Sequence, residues 1–151
     1  MKRVICVVAL LVVLFAAVPA HAQSYVGSYC WKLDNYNDTF VWKVTIVTDN
    51  TYQLTGWSPY FPMSALTGMA RLVPGTQMLF GSMVVANYAT GWRQHHTFVL
   101  ELNNSTGTSK FNYTFLDGTS SAGITAPFHA ISCNATWAPE PGQVSTESLV
   151  K

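Results

Sequence analysis

Apolar and polar residues alternate along most of this chain with a period of two, and the 3.6-residue period of a helix is almost absent. In "TFVWKVTIVT", Phe40, Trp42, Val44 and Ile46 share one face and Lys43 and Thr45 the other, the pattern of a half-buried strand. "TYQLTGW" follows the hairpin pair Asp49-Asn50 and sets Tyr52, Leu54 and Gly56 on one side. "SALTGMARLV" and "QMLFGSMVVA" flank a Pro74-Gly75 turn. The second is apolar on both sides, so alternation does not choose an inward face from Gln77 to Ala86. "HHTFVLEL" sets His96, Phe98, Leu100 and Leu102 against His95, Thr97, Val99 and Glu101. "SKFNYTFL" sets Phe111, Tyr113 and Phe115 against Lys110, Asn112 and Thr114. With "SYCWKLD" at the start and "APFHAISCN" at the end, the pattern predicts eight strands.

Eight successive strands without crossover helices make an up-and-down barrel or a two-sheet sandwich, and the cysteines bear on the choice. A closed meander must pair its first strand with its last, because closure is what removes both edges. Cys30 lies in the first strand and Cys133 late in the eighth, both at the end where strand eight finishes. With Tyr29, Trp31 and Leu33 inward, Cys30 points outward, and with Phe128 and Ala130 inward so does Cys133. The expected fold is therefore all-β: an eight-stranded antiparallel meander barrel, closed by a strand 1–strand 8 seam that a Cys30–Cys133 disulfide clasps.

The first residues stand apart from this pattern. Lys2 and Arg3 precede the apolar run "VICVVALLVVLFAAV" and then "PAHA", the order of a secretory signal peptide with cleavage near Ala22. The run of about 15 residues falls short of the ~20 that a membrane-spanning helix needs. Residues 1–22 are thus expected to be removed, 23–137 to form the barrel and 138–151, "PEPGQVSTESLVK" with the alanine before it, to be a disordered tail. The expected location is secreted or periplasmic. Removing Lys2 and Arg3 takes eight basic residues to six against seven acidic ones, about −1, which gives nothing to attract nucleic acid. Of three cysteines Cys6 leaves with the leader, and an exported chain with two is expected to bridge them. Five sequons, starting at Asn37, Asn103, Asn104, Asn112 and Asn134, would accept glycans in a eukaryotic secretory pathway.

The meander also sorts the loops. Connections after strands two, four and six lie at the disulfide end and are short or polar, while "NYND", "SPYFPM", "NYATGWRQ" and "DGTSSAGIT" gather at the other. Aromatic loops at one end of a rigid barrel mark a binding mouth, with Tyr36, Tyr60, Phe61, Tyr88 and Trp92 as candidate contacts and Arg93 as the nearby cation. Loop aromatics also fold down to plug small barrels, so the pattern fits an open or a plugged lumen. Gly56, Gly68, Ala70 and Gly81 leave room for a ligand or allow the bends that close a barrel.

Catalytic chemistry is thin. His95 and His96 are adjacent in a strand and point to opposite faces, so no metal site is expected of them. Asp34 and Asp38 cluster beside a loop, where turn chemistry explains aspartate. No G-x-S-x-G, H-E-x-x-H or glycine-rich phosphate loop occurs, and no nucleophile–base–orienter set is visible. The chain reads as a binding protein, with no catalytic residues and no cofactor.

"VGSYCW" near the mature start is similar to the Gly-x-Trp opening of lipocalins, with Tyr29 in the tryptophan's place, and "QLTGW" to the Leu-Thr-Gly-aromatic step of avidins. The arrangement resembles the calycin group. That resemblance implies an exported barrel holding a small apolar molecule; the avidin ligand set is not traceable here, so biotin is not implied. The expected function is binding of a small apolar or amphipathic ligand at the loop-rich end. The alternative is a protein-binding module, such as an inhibitor of a secreted hydrolase, using the same loops as a convex plug. An outer-membrane barrel fits the charge content of 10%, but strands of about eight residues and a polar tail speak against membrane insertion. Oligomeric state is open.

Overall fold

A computed structural model describes residues 24–134 apart from 37 and 62. The signal peptide and tail expectations lie outside the described residues, as does the sequon asparagine Asn37. The strands are β1 (Ser24–Leu33), β2 (Thr39–Thr48), β3 (Thr51–Trp57), β4 (Ser64–Leu72), β5 (Met78–Asn87), β6 (Arg93–Glu101), β7 (Thr106–Thr114) and β8 (Ile124–Ile131), with one short 3-10 turn, Leu102–Asn104. They form a closed barrel in chain order, every neighbouring pair antiparallel. Short, tight connections are what allow this order: Asn50 adopts a left-handed φ of 60° in the β2–β3 turn and Gly75 one of 73° between β4 and β5.

Closure is staggered. Only Cys30 to Leu33 of β1 pair with β8, from Cys30↔Ile131 to Leu33↔Phe128, while Ser24 to Tyr29 pair with β2 alone. Such a shear is what closing a tilted sheet requires. A register shift between Tyr25 and Gly27 in β1 and another between Ile46 and Thr48 in β2 fall in this overhanging corner. Irregularities of this kind add local bend and twist. Ile46, aligned with the inward set by alternation, is 39% exposed there because the overhang runs past the lumen.

The seam is held three ways. The Cys30–Cys133 disulfide spans 103 residues of chain, with Cα atoms 5.2 Å apart. Asp34 N donates to Pro127 O at 2.9 Å, extending the ladder past Leu33. His129 Nδ1 meets Asp34 Oδ1 at 2.6 Å on the outer surface.

Alternation sends Tyr29, Trp31, Leu33, Phe40, Trp42 and Val44 inward from β1 and β2, and all are buried. The inward face of β5 proves to be Leu79, Gly81, Met83, Val85 and Asn87. Phe115 departs from its expected place beside Phe111 and Tyr113: β7 ends at Thr114, and Phe115 starts the next loop at 49% exposure. Trp31 and Trp42 stack at 5.5 Å, and Phe128 lies 5.3 Å from Trp31 and 5.7 Å from Trp42. Glycines on the inward face make room for side chains of the neighbouring strands. A Cβ on Gly81 would strike Cζ of Phe98, its partner on β6, and one on Gly107 would strike Val99 O and the Leu100 side chain. Each glycine thus admits its large cross-strand neighbour.

Candidate functional site

The loop-rich end is shaped by local hydrogen bonds. Asn87 Oδ1 accepts from Ala89 N at 2.9 Å and Thr90 N at 3.0 Å, and Asn87 N donates to Trp92 O at 3.0 Å. With Gly91 at φ 72°, this turn places the Trp92 side chain over the barrel end. Across from it Ser64 Oγ donates to Ser58 O and accepts from Ser58 N, closing the β3–β4 loop, and Tyr88 N donates to Met63 O to join the two loops.

Of the residues expected at a mouth, the structure brings three together. Phe61 lies edge-on to Tyr60 at 5.2 Å and to Trp92 at 4.6 Å. Trp92 meets Tyr113 at 5.8 Å, and Tyr113 meets Phe111 at 5.7 Å. This chain of rings runs from the rim down into the core. Tyr36 sits lower, edge-on to Phe111 at 5.3 Å. Tyr88 is 71% exposed and stands outside the cluster. Arg93, exposed, is in register with Ala86 and Thr114 on the outer wall, so it does not face the lumen.

Beneath the rings lies a buried polar set that turn chemistry alone did not anticipate. Asp38, Gln94, His96 and Ser109 are all under 5% exposed. Gln94 Nε2 donates to Asp38 Oδ2 at 2.5 Å, and the Tyr113 hydroxyl donates to the same oxygen at 3.4 Å. The Gln94 amide nitrogen is thereby committed, so its Oε1 must accept from His96 Nε2, 3.3 Å away. That leaves Nδ1 without a proton, and it accepts from Ser109 Oγ at 2.9 Å. Burial, with His95 next in the chain, lowers the His96 pKa from 6.5 to about 3, so the ring is neutral. Burial raises the Asp38 pKa, partly offset by the bonds from Gln94 and Tyr113. Ser109 and His96 resemble a nucleophile and base, but Ser109 is 0% exposed and Gln94 intervenes before the carboxylate. Each member is satisfied, and a closed network of this kind rigidifies.

The disulfide end of the lumen is different. A void of about 10 Å³ is enclosed by Tyr29, Trp31, Trp42, Val44, Leu54 and Leu102 with their neighbours, room for one water-sized group. Trp31 and Trp42 are 1% and 2% exposed, and neither Nε1 has a hydrogen-bond partner among the described residues. Ser58 Oγ, at the loop end, is the other buried atom in this condition. A buried indole N–H usually finds a partner, and each one left unmade costs about 1–3 kcal/mol. Alternation groups both tryptophans with the core residues and is silent on their N–H donors. The signal available was two N–H-bearing rings on consecutive strands, where leucine or phenylalanine fills a core without orphan donors.

Among the described residues, no group of three or more His, Cys, Asp or Glu could hold a metal ion. The chain matches no known protein family, no curated protein and no solved structure.

Proposed function

We propose that this protein is an exported β-barrel that binds a small apolar molecule at the disulfide end of the barrel, with its one hydrogen-bond acceptor atom reaching the water-sized void beside Trp31 and Trp42. The unpaired indole donors beside the void carry this reading. An acceptor oxygen placed there meets the two rings that carry these donors, while the apolar body lies along the partly exposed Tyr52, which borders the same void. The loop end, expected from its aromatics to be the mouth, serves instead as a closed cap, because its polar set is satisfied internally and its rings pack on one another. The closed eight-stranded meander agrees with the calycin resemblance, and a lumen ligand is what that resemblance implies.

The test uses 15N-indole NMR on the mature protein with 2-heptanone and with 1-heptene, which lacks the acceptor. The ketone should move the Nε1–H signals of Trp31 and Trp42 downfield and leave Trp57 and Trp92 in place. Equal binding of the alkene, or unmoved signals at millimolar ketone, would overturn the reading. Native mass spectrometry of protein from its own source identifies the retained molecule.

A different observation favours a protein-binding role. Tyr60, Met63, Tyr88, Phe115 and Leu116 are 49–81% exposed on three adjacent loops of the capped end. Large exposed apolar groups gathered on a convex tip are what a protein partner would bury. Tyr88→Ser with Leu116→Ser should abolish a pull-down on a secreted partner while leaving the ketone response intact.

A further inference from the structure

Outside the barrel, a groove of about 740 Å³ crosses β4, β5, β6 and β7. Its size falls in the ~300–1,000 Å³ range of small-molecule sites. Two rows of outward residues line it, fixed by register: Thr67, Val84, His95 and Asn112 in one, and Met69, Ser82, Thr97 and Lys110 in the next. Ser121 and Gly123 of the β7–β8 loop form one bank, where Ser121 N and Oγ bond to Tyr113 O and N. That bank is why an outer sheet face is concave here.

The lining is amphipathic and unbalanced in charge. Met69 is 45% exposed and adjoins Val84 diagonally, giving an apolar floor toward β4 and β5. Toward β6 and β7, Lys110 and His95 occupy diagonal positions, about 7–8 Å apart at the backbone and within reach of one bound group. Arg71 and Arg93 extend the same face at either end of the rows. By alternation the one acidic residue on the outer face of these four strands is Glu101, at the far edge beside Met78. No acidic side chain pairs with Lys110 or His95 among the described residues.

We propose that this groove is a binding site for a small amphipathic carboxylate. The carboxylate meets the Lys110 ammonium and the His95 ring N–H, with the Asn112 amide as a further donor. The aliphatic body lies on Met69 and Val84, and Thr67, Ser82 and Thr97 present hydroxyls along its flank. A neutral molecule leaves the cation uncompensated, and a cationic one is repelled, so charge selects the occupant. The site is separate from the lumen and does not depend on the function assigned there.

The experiment titrates decanoate and decyltrimethylammonium into the mature protein, observed through the ring signals of His95 and the indole signals of Trp31 and Trp42. Decanoate should shift His95 with the indoles unmoved, and the ammonium probe should not bind. Lys110→Glu should weaken decanoate by at least about tenfold, equivalent to ~1.4 kcal/mol, and Lys110→Arg should retain binding. Lys110 is exposed, and an unchanged indole spectrum certifies each variant's fold. Absence of decanoate binding at millimolar concentration, equal affinity for the ammonium probe, or indifference to Lys110→Glu would each overturn the site. Shifts at the lumen indoles without any at His95 would overturn it too, while leaving the lumen reading standing.

Discussion

His96 carries a pH dependence that can be read from its surroundings. Burial holds it neutral down to about pH 3, whereas in the unfolded chain it protonates near its ordinary 6.5. Between those limits the unfolded state binds the extra proton, so stability falls as pH drops from 6.5 toward 3. The slope is at most ~1.4 kcal/mol per pH unit. Asp38 works in the opposite sense: its raised pKa means the fold takes up that proton at higher pH than the unfolded chain, which softens the acid limb. Thermal melts from pH 7 to 3.5 should therefore fall more steeply in the wild type than in His96→Gln, which cannot titrate; parallel curves would contradict the buried neutral ring. Trp92 poses a second residue-scale question, contact or cap. It packs edge-to-face on Phe61 and Tyr113, and under the proposed lumen site it acts as a cap. Trp92→Ala should lower stability by less than the ~3–5 kcal/mol of a fully buried ring, measured by urea denaturation, and leave the ketone response of Trp31 and Trp42 unchanged.

Among the elements, β5 shows where sequence reading stops. Alternation separated the two faces of β1, β2, β3 and β6, and the polar side of each marks the outer one, such as Lys43 opposite Trp42 or Glu101 opposite Leu100. In "MLFGSMVVAN" both sides are apolar, since the outward residues Phe80 and Val84 cover the outer wall while Leu79, Met83 and Val85 fill the core. Period two gives no sign of which is which. What decides it is the partner strand: Gly81 pairs with Phe98, and only an inward glycine lets that ring lie across β5. Gly81→Ala should cost ~1–3 kcal/mol through overpacking, and Phe98→Leu added to it should cost less than the sum of the two singles, because the smaller side chain vacates the space. A strictly additive double-mutant cycle would mean the close approach is absent. The buried network was illegible for a related reason. Asp38 stands beside a loop and reads as a turn residue, and only barrel closure brings it to Gln94, 56 residues away.

At the scale of the whole molecule, the disulfide and the seam do different work. The bridge closes a loop of 103 residues, and in the chain-entropy model a loop of about that size constrains the unfolded chain by up to ~4.7 kcal/mol. The seam itself rests on four residue pairs between β1 and β8, on the Asp34–Pro127 bond and on inward packing of Trp31 against Phe128. Those interactions belong to the folded state and do not need the covalent link. Cys30, though directed outward, is 1% exposed, whereas Cys133 is half-buried, so the two thiols of the reduced protein differ in access. Two outcomes should follow. In native buffer with dithiothreitol, a thiol-reactive dye should label Cys133 before Cys30, and moderate urea should speed labelling of Cys30 before global unfolding, because opening of the seam gates access to that thiol. The Cys30→Ala, Cys133→Ala double variant should melt at a lower temperature, with a stability loss no greater than ~4.7 kcal/mol, yet retain the β1–β8 cross-strand contacts in nuclear Overhauser spectra. Loss of those contacts in a variant that is otherwise folded would show that the bridge, and not the ladder and core, is what closes the barrel.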